Sequence, residues 1–343
     1  MAAASPVIFG CLGPALSDAE RGFFREVSPW GFILFRRNVE TPEQLRRLTD
    51  ALRESVGREA PILVDQEGGR VARLRAPHWR SWPAPLASME AALDEAEKEA
   101  ALAARFRLIA AELRRVGVDV CCAPLLDVPA PGGHDIIGDR AIGRDPGTVA
   151  RRGFAVREGL TSGGVLPVIK HIPGHGRALV DSHLHLPCVT ASREELERVD
   201  FAPFRQHAEA PLGMTGHIVF EAIDPEAPAT LSRKVVQEAI RGSIGFDGLL
   251  MTDDLSMKAL SGDFESRARA SLAAGCDVIL HCNGEMEEMA PVARALSPLT
   301  GEALRRAEAA DAARFAIREA APDEEADLAL WRAFDARAKL HSA

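Results

Sequence analysis

The sequence contains no tyrosine, and aromatic residues make up only 5% of its 343 positions. A tyrosine nucleophile or a tyrosine general acid is therefore excluded. No Cys-x-x-Cys pair occurs either: Cys11, Cys121, Cys122, Cys188, Cys276 and Cys282 lie mostly in apolar, strand-like runs. Buried free thiols in a reducing compartment are the expectation. Positive charge is in deficit, 41 Lys and Arg against 50 Asp and Glu for a formal −9, which argues against a nucleic-acid-binding surface. No apolar stretch approaches the ~18 residues of a membrane span. Ile8-Phe9-Gly10-Cys11 has the outline of a lipoprotein cleavage site. No basic residue precedes it, however, and the apolar run from Pro6 is too short for a signal peptide, so a buried first strand is expected. Linkers are missing as well: there is no Ser/Gly or Pro tract, long charge block, low-complexity segment or internal repeat. These absences describe a cytoplasmic protein with no nucleic-acid, membrane or protein partner inferred.

What is present is a concentration of histidine: ten in all, four of them between His171 and His185. The remainder, 47% hydrophobic and 27% charged, is ordinary for a chain with material for a large core. Short apolar runs at 6–10, 31–35, 61–65, 118–122, 165–169, 212–217, 248–252 and 277–281 alternate with amphipathic patterns. The runs are continuously apolar, as strands covered on both faces of a parallel sheet require. Helix signals stand between them. Thr41-Pro42-Glu43-Gln44 offers an N-cap, a first-turn proline and a capping-box glutamine before an apolar stripe that Gly57 ends. Ser192-Arg-Glu-Glu195 repeats the box, Asp145-Pro146 opens another helix, and 86–116 reads as helix up to Gly117. Eight such alternations predict an α/β fold, a single (β/α)8 TIM-type barrel, with 1–343 as one catalytic domain. A doubly wound sheet shares the alternation. The Ala/Glu/Arg-rich tail at about 300–343 is expected to be helical and packed on the outside of the barrel.

A barrel enzyme carries its catalytic side chains after the C-terminal ends of its strands. Asp65 follows the third run, Arg140 lies in the long loop after the fourth, Lys170 and His171 end the fifth, and His217 ends the sixth. Asp253 and Asp254 end the seventh, and His281 and Asn283 the eighth. The segment from Lys170 to His185 admits two readings. As a metal site, His171, His175, Asp181, His183 and His185 offer five ligands within fifteen residues. As a proton-transfer site, Asp181 and His183 are close enough for the carboxylate to hold one imidazole nitrogen, fix the tautomer and favour the imidazolium. His185 and His207 read as loop histidines bonded to nearby carbonyls. The strand Gly248-Leu-Leu-Met-Thr-Asp253 delivers Asp253 to the barrel mouth, where a carboxylate can attack a substrate carbon, while Asp254 is expected to cap the next helix. Asp253 with the Asp181–His183 pair supplies the nucleophile and the separate acid/base of a retaining glycosidase.

Five segments carry a resemblance: Asp65-Gln-Glu-Gly-Gly-Arg-Val71, Gly138-Asp-Arg-Ala-Ile-Gly143, Lys170-His-Ile-Pro-Gly-His-Gly176, Asp181-Ser-His183 and Thr252-Asp-Asp-Leu255. In this order and spacing the chain resembles the bacterial β-N-acetylglucosaminidases of glycoside hydrolase family 3, from the first strand to about residue 290. The resemblance implies that Asp253 is a nucleophile forming a covalent glycosyl-enzyme, that His183 is the acid/base, and that Asp181 orients it. Asp65, Arg73, Arg140, Lys170 and His171 match positions that hold the hydroxyls of the terminal sugar. It further implies a cytoplasmic enzyme of peptidoglycan recycling with no cofactor and no metal. Its substrate is a small sugar or muropeptide: N-acetylglucosamine is released from 1,6-anhydro-N-acetylmuramic acid, with or without the stem peptide. Arg73, Arg140 and Lys170 are expected to make the pocket positive despite the net −9. His175 is expected to shape its turn. Gly216 and the segment 220–232 depart from the pattern and are expected to affect the aglycone rim. The rival readings are a metal-dependent hydrolase using the His171–His185 cluster, a phosphorylase with the same site, and a non-catalytic sugar-binding barrel.

Overall fold

The eight apolar runs become eight strands: β1 (Ser5–Phe9), β2 (Pro29–Leu34), β3 (Ile62–Val64), β4 (Val120–Cys121), β5 (Leu166–Ile172), β6 (Leu212–Thr215), β7 (Leu249–Asp254) and β8 (Val278–His281). The structure, a computed structural model, describes residues 4–90, 93–132, 135–182 and 185–341. Each strand pairs in parallel with the next, and β8 returns to β1 with Val7 opposite Ile279, closing the expected barrel. Continuous apolarity has a simple cause. Ile8, Ile33, Leu63, Val120, Val168, Leu212, Met251 and Leu280 fill the interior. Alternate residues such as Val7, Phe9, Phe32, Ile62 and Val64 face the helical layer.

The helix signals act largely as read. Thr41 accepts from the Gln44 N–H at 3.2 Å, and Gly57 ends that helix at φ +63°. The Gln44 side chain accepts from Glu40 N–H rather than from Thr41, so the reciprocal half of the box is displaced by one residue. Ser192 and Asp145 cap through Glu195 N–H and Thr148 N–H. The helix expected over 86–116 is two pieces, Pro85–Met89 and Glu95–Arg115, the second capped by Asp94. The cysteines are all free thiols, with Cys188 exposed and the other five buried. Among the described residues no helix is long and apolar enough to cross a membrane.

The tail forms two helices that pack at different places on the barrel. Leu299, Ala307 and Ala310 join Trp30 and Leu166 in the interior cluster. The helix Gly301–Ile317 therefore closes the N-terminal end of the barrel. The helix Glu324–His341 does lie outside, against Glu95–Arg115. There Arg107 pairs with Asp327 at 2.8 Å, and Trp331 meets Trp82 edge-on at 5.4 Å. Arg105, fully buried between Trp82, Phe106 and Trp331, donates to the backbone carbonyls of Glu67 and Pro83. Through that guanidinium the tail supports the short ribbon after β3, Gln66–Gly68 paired with Val71–Ala72. Trp331→Ala is expected to lower stability by about 3–5 kcal/mol, as truncation of a buried aromatic does. Urea unfolding followed by circular dichroism checks this, and a single shifted transition is the expected form.

Candidate active site

Five ionised side chains from two loops and one strand end meet at the C-terminal mouth. Lys170, at the end of β5, lies 2.8 Å from Asp65 and 2.6 Å from Glu67. Arg73 reaches the other oxygen of Asp65 at 2.9 Å, and Arg140 takes both oxygens of Glu67 at 2.9 Å each. The strand β3 ends just before Asp65, and the ribbon turns Glu67 back towards β5. Burial pushes the Asp65 carboxyl up, but Lys170 and Arg73 outweigh it and hold the group well below the usual carboxylate range. Burial likewise raises Glu67, and Arg140 with Lys170 reverse this, taking it to about 2. Burial lowers Lys170, and the two carboxylates more than restore its charge.

The next residue is held from below. Asp127, fully buried after β4, accepts from the His171 ring at Nδ1 (2.7 Å), from His171 N–H (3.2 Å) and from His175 N–H (2.6 Å). The bond at Nδ1 leaves His171 Nε2 for the cavity. His175 places Nε2 3.0 Å from Ser182 Oγ; burial, then the neighbouring His171, press its pKa down to about 4.

Asp253 sits at the end of β7 within a directed chain of hydrogen bonds. Its N–H donates to Thr215 Oγ1 at 3.3 Å, and Thr215 and Thr230 hydroxyls meet at 2.8 Å. Thr230 lies 2.8 Å from His217 Nδ1, and His217 Nε2–H donates to the Asp254 carbonyl at 3.0 Å. Burial holds His217 below its ordinary pKa, so its neutral ring accepts at one nitrogen and donates at the other. The chain thus leaves Asp253 at its nitrogen and returns at the carbonyl of Asp254. The Asp253 carboxylate in turn accepts from Asp254 N–H at 2.8 Å. Asp65, Arg73, Arg140, Lys170, His171 and Asp253 line one cavity of about 290 Å³.

Residues 20–314 match the Glycosyl hydrolase family 3 N terminal domain. The chain belongs to glycoside hydrolase family 3. A β-hexosaminidase from Alkalilimnicola ehrlichii is 42% identical over 287 residues, covering 81% of this chain and 80% of its own. The native structure of NagZ from Neisseria gonorrhoeae superposes with a TM-score of 0.83 at 31% identity, over 99% of this chain and 98% of that one. The same protein in complex with N-trifluoroacetyl-D-glucosamine gives 0.83 and 31%, over 99% of each.

Within this family 3 site several readings change. His183 lies outside the described residues, while Asp181 directly precedes the buried Ser182. Asp254 caps no helix: its carboxylate accepts from Ser256 and from Cys282 N–H, and the next helix is capped by Asp263. The expected positive charge is largely offset, since Lys170, Arg73 and Arg140 pair with Asp65 and Glu67 and one positive charge is left over. Gly216 is not on the rim; a Cβ there would stand 3.3 Å from His171 Cβ and 3.5 Å from the His175 ring. The segment 220–232 supplies Thr230 to the hydrogen-bond chain around Asp253, so it bears on the placement of that carboxylate and not on the aglycone side alone. His207 is structural as expected, bonded to the Ala150 carbonyl at 3.0 Å, and His185 is exposed. Among the described residues no group of three His, Cys, Asp or Glu side chains is arranged to hold a metal. Reading single residues missed Glu67, Asp127, Thr215 and Thr230. Glu67 stands inside the quoted Asp65–Val71 segment, and an acidic residue two positions from Asp65 was its available signal.

Two outcomes follow from this geometry. Thr230→Val keeps the shape but breaks the chain twice, with an expected loss of about 1–3 kcal/mol in urea unfolding and a fall in kcat. Acid sensitivity comes from Glu67, whose ordinary value of 4.5 falls to about 2 on folding. Between those values the unfolded chain binds the extra proton, so stability present above pH 4.5 is lost as pH drops towards 2. Glu67→Gln is expected to flatten that limb of the curve of urea midpoint against pH.

Proposed function

We propose that this β-hexosaminidase-type glycoside hydrolase is a retaining exo-β-N-acetylglucosaminidase. Its substrate is N-acetylglucosamine joined to 1,6-anhydro-N-acetylmuramic acid, with or without the stem peptide, in cytoplasmic cell-wall recycling. Residues 1–343 act as one catalytic domain, with 300–343 as its closing tail. The observation that carries the reading is the single cavity in which Asp253 faces the Asp65, Arg73, Arg140, Lys170 and His171 set. A glucosamine derivative bound by the Neisseria gonorrhoeae relative supports the sugar class.

In this reading Lys170, Arg73 and Arg140 donate to sugar hydroxyls, and Asp65 accepts from one. Ion pairing holds each group in place before the sugar arrives, so little ordering remains for binding to supply. Asp253 attacks the anomeric carbon while His183, protonated and oriented by Asp181, gives its proton to the departing oxygen. Water then enters, neutral His183 removes its proton, and the sugar leaves with its configuration retained.

A chromogenic β-N-acetylglucosaminide is expected to be cleaved far faster than the matching β-glucoside, with the β-anomer appearing first by NMR. The α-anomer as first product would overturn the retaining reading. Asp253→Ala is expected to lose roughly ten-thousandfold or more in kcat, and a mild loss would remove Asp253 from the nucleophile role. Turnover that rises steeply with phosphate would mark a phosphorylase, and turnover lost on chelation a metal enzyme.

A further inference from the structure

Two side chains of the loop after β5 take no part in that chemistry, His175 and Ser182. Each is 2% exposed. His175 belongs to the barrel framework. Asp127 holds its N–H at 2.6 Å, and the Gly176 carbonyl accepts from Ala130 N–H at 3.0 Å. Gly176 has no room for a side chain, since a Cβ would stand 1.8 Å from the Val128 carbonyl oxygen. Arg177 completes the anchorage through Asp200 at 2.7 Å and Glu195 at 3.0 Å. Past this point the chain leaves the barrel, and Leu179 is 66% exposed.

Ser182 comes back inward and lines the sugar cavity. A hydroxyl taken out of water needs a partner, and Ser182 Oγ finds His175 Nε2 at 3.0 Å. Among the described residues His175 Nδ1 has no hydrogen-bond partner, and the serine is the polar contact of that ring. Ser182 is also the residue between Asp181 and His183, and neighbouring Cα atoms are ~3.8 Å apart. Fixing Ser182 therefore restricts both members of the pair.

We propose that the His175–Ser182 hydrogen bond is a tether that sets the position of the Asp181–His183 pair against Asp253, making Ser182 and His175 positioning residues for proton transfer. The inference rests on His183 being the acid/base. Under it, Ser182→Ala lowers kcat/KM about tenfold on a substrate with a poor leaving group, such as a methyl β-N-acetylglucosaminide. On the 2,4-dinitrophenyl glycoside, whose departure needs little protonation, the loss stays below about twofold. A serine that merely supported the fold would lower both alike, so equal losses, or none on the methyl glycoside, overturn the tether. His183→Ala in the same assay tests the underlying reading separately, and a lack of leaving-group dependence there refutes the acid/base assignment itself. The cycle with His175→Gln then tests the tether independently of that assignment. A double variant no worse than the poorer single variant supports it, and losses that multiply overturn it.

Discussion

Everything at the barrel mouth depends on the contact between Lys170 and the two carboxylates Asp65 and Glu67. An ammonium that is 2% exposed is stable as a cation only if opposite charge replaces its lost water. Two carboxylates over-compensate a single lysine, and Arg73 and Arg140 take up their remaining oxygens, leaving the five side chains one positive charge in excess. The loops after β3 and β4 and the end of β5 are thereby locked to one another. None can move without leaving a buried charge unpaired, which costs far more than the bonds themselves contribute. In the proposed reading the sugar meets a surface already ordered by these pairs, and its hydroxyls are recognised by donors and acceptors placed beforehand.

The fold was largely legible because its determinants are local. A strand covered on both faces must be apolar at every position, and a run of four or five such residues between helix caps has few other meanings. Asp253 and Lys170 could be placed at the mouth for the same reason, as polar residues ending apolar strands. What stayed hidden was pairing at long range. Glu67 and Arg140 are separated by 73 positions, and Asp127 and His171 by 44, with no periodicity to connect them. Hence the expected positive pocket, which counted cations one at a time, is a network in which two carboxylates offset two of the three cations. The tail's exact seat was hidden in a similar way. Its Ala-rich pattern announces helix, but whether such a helix lies on the flank or closes the barrel end depends on which apolar surface is left uncovered. Leu166 and Trp30 form that surface, and only the closed barrel brings them together.

Gly216 shows how closely the second layer is built. It falls between β6 and the paired histidines, where a methyl group would press on both His171 and His175. The residue after it, His217, turns away from the cavity to bond with Thr230 and Asp254. One short segment thus serves both sides of the site, leaving room for His171 and bracing the strand that carries Asp253.

The histidine excess resolves by burial. His175, His207 and His217 are deeply buried with no carboxylate bonded to the ring, and burial drives all three below their ordinary pKa. A ring kept neutral at physiological pH can accept at one nitrogen and donate at the other, which suits it to join two neutral groups: Thr230 to a carbonyl, or a framework turn to Ser182. It is for the same reason a poor carrier of protons. His171 differs, because Asp127 bonds its ring directly, and it faces the cavity. A histidine that must alternate between charged and neutral forms needs both a carboxylate neighbour and access to substrate. In the proposed mechanism that part falls to His183, with Asp181 as its carboxylate. The described histidines thus divide into neutral connectors inside the framework and one, His171, that a buried carboxylate holds towards the cavity.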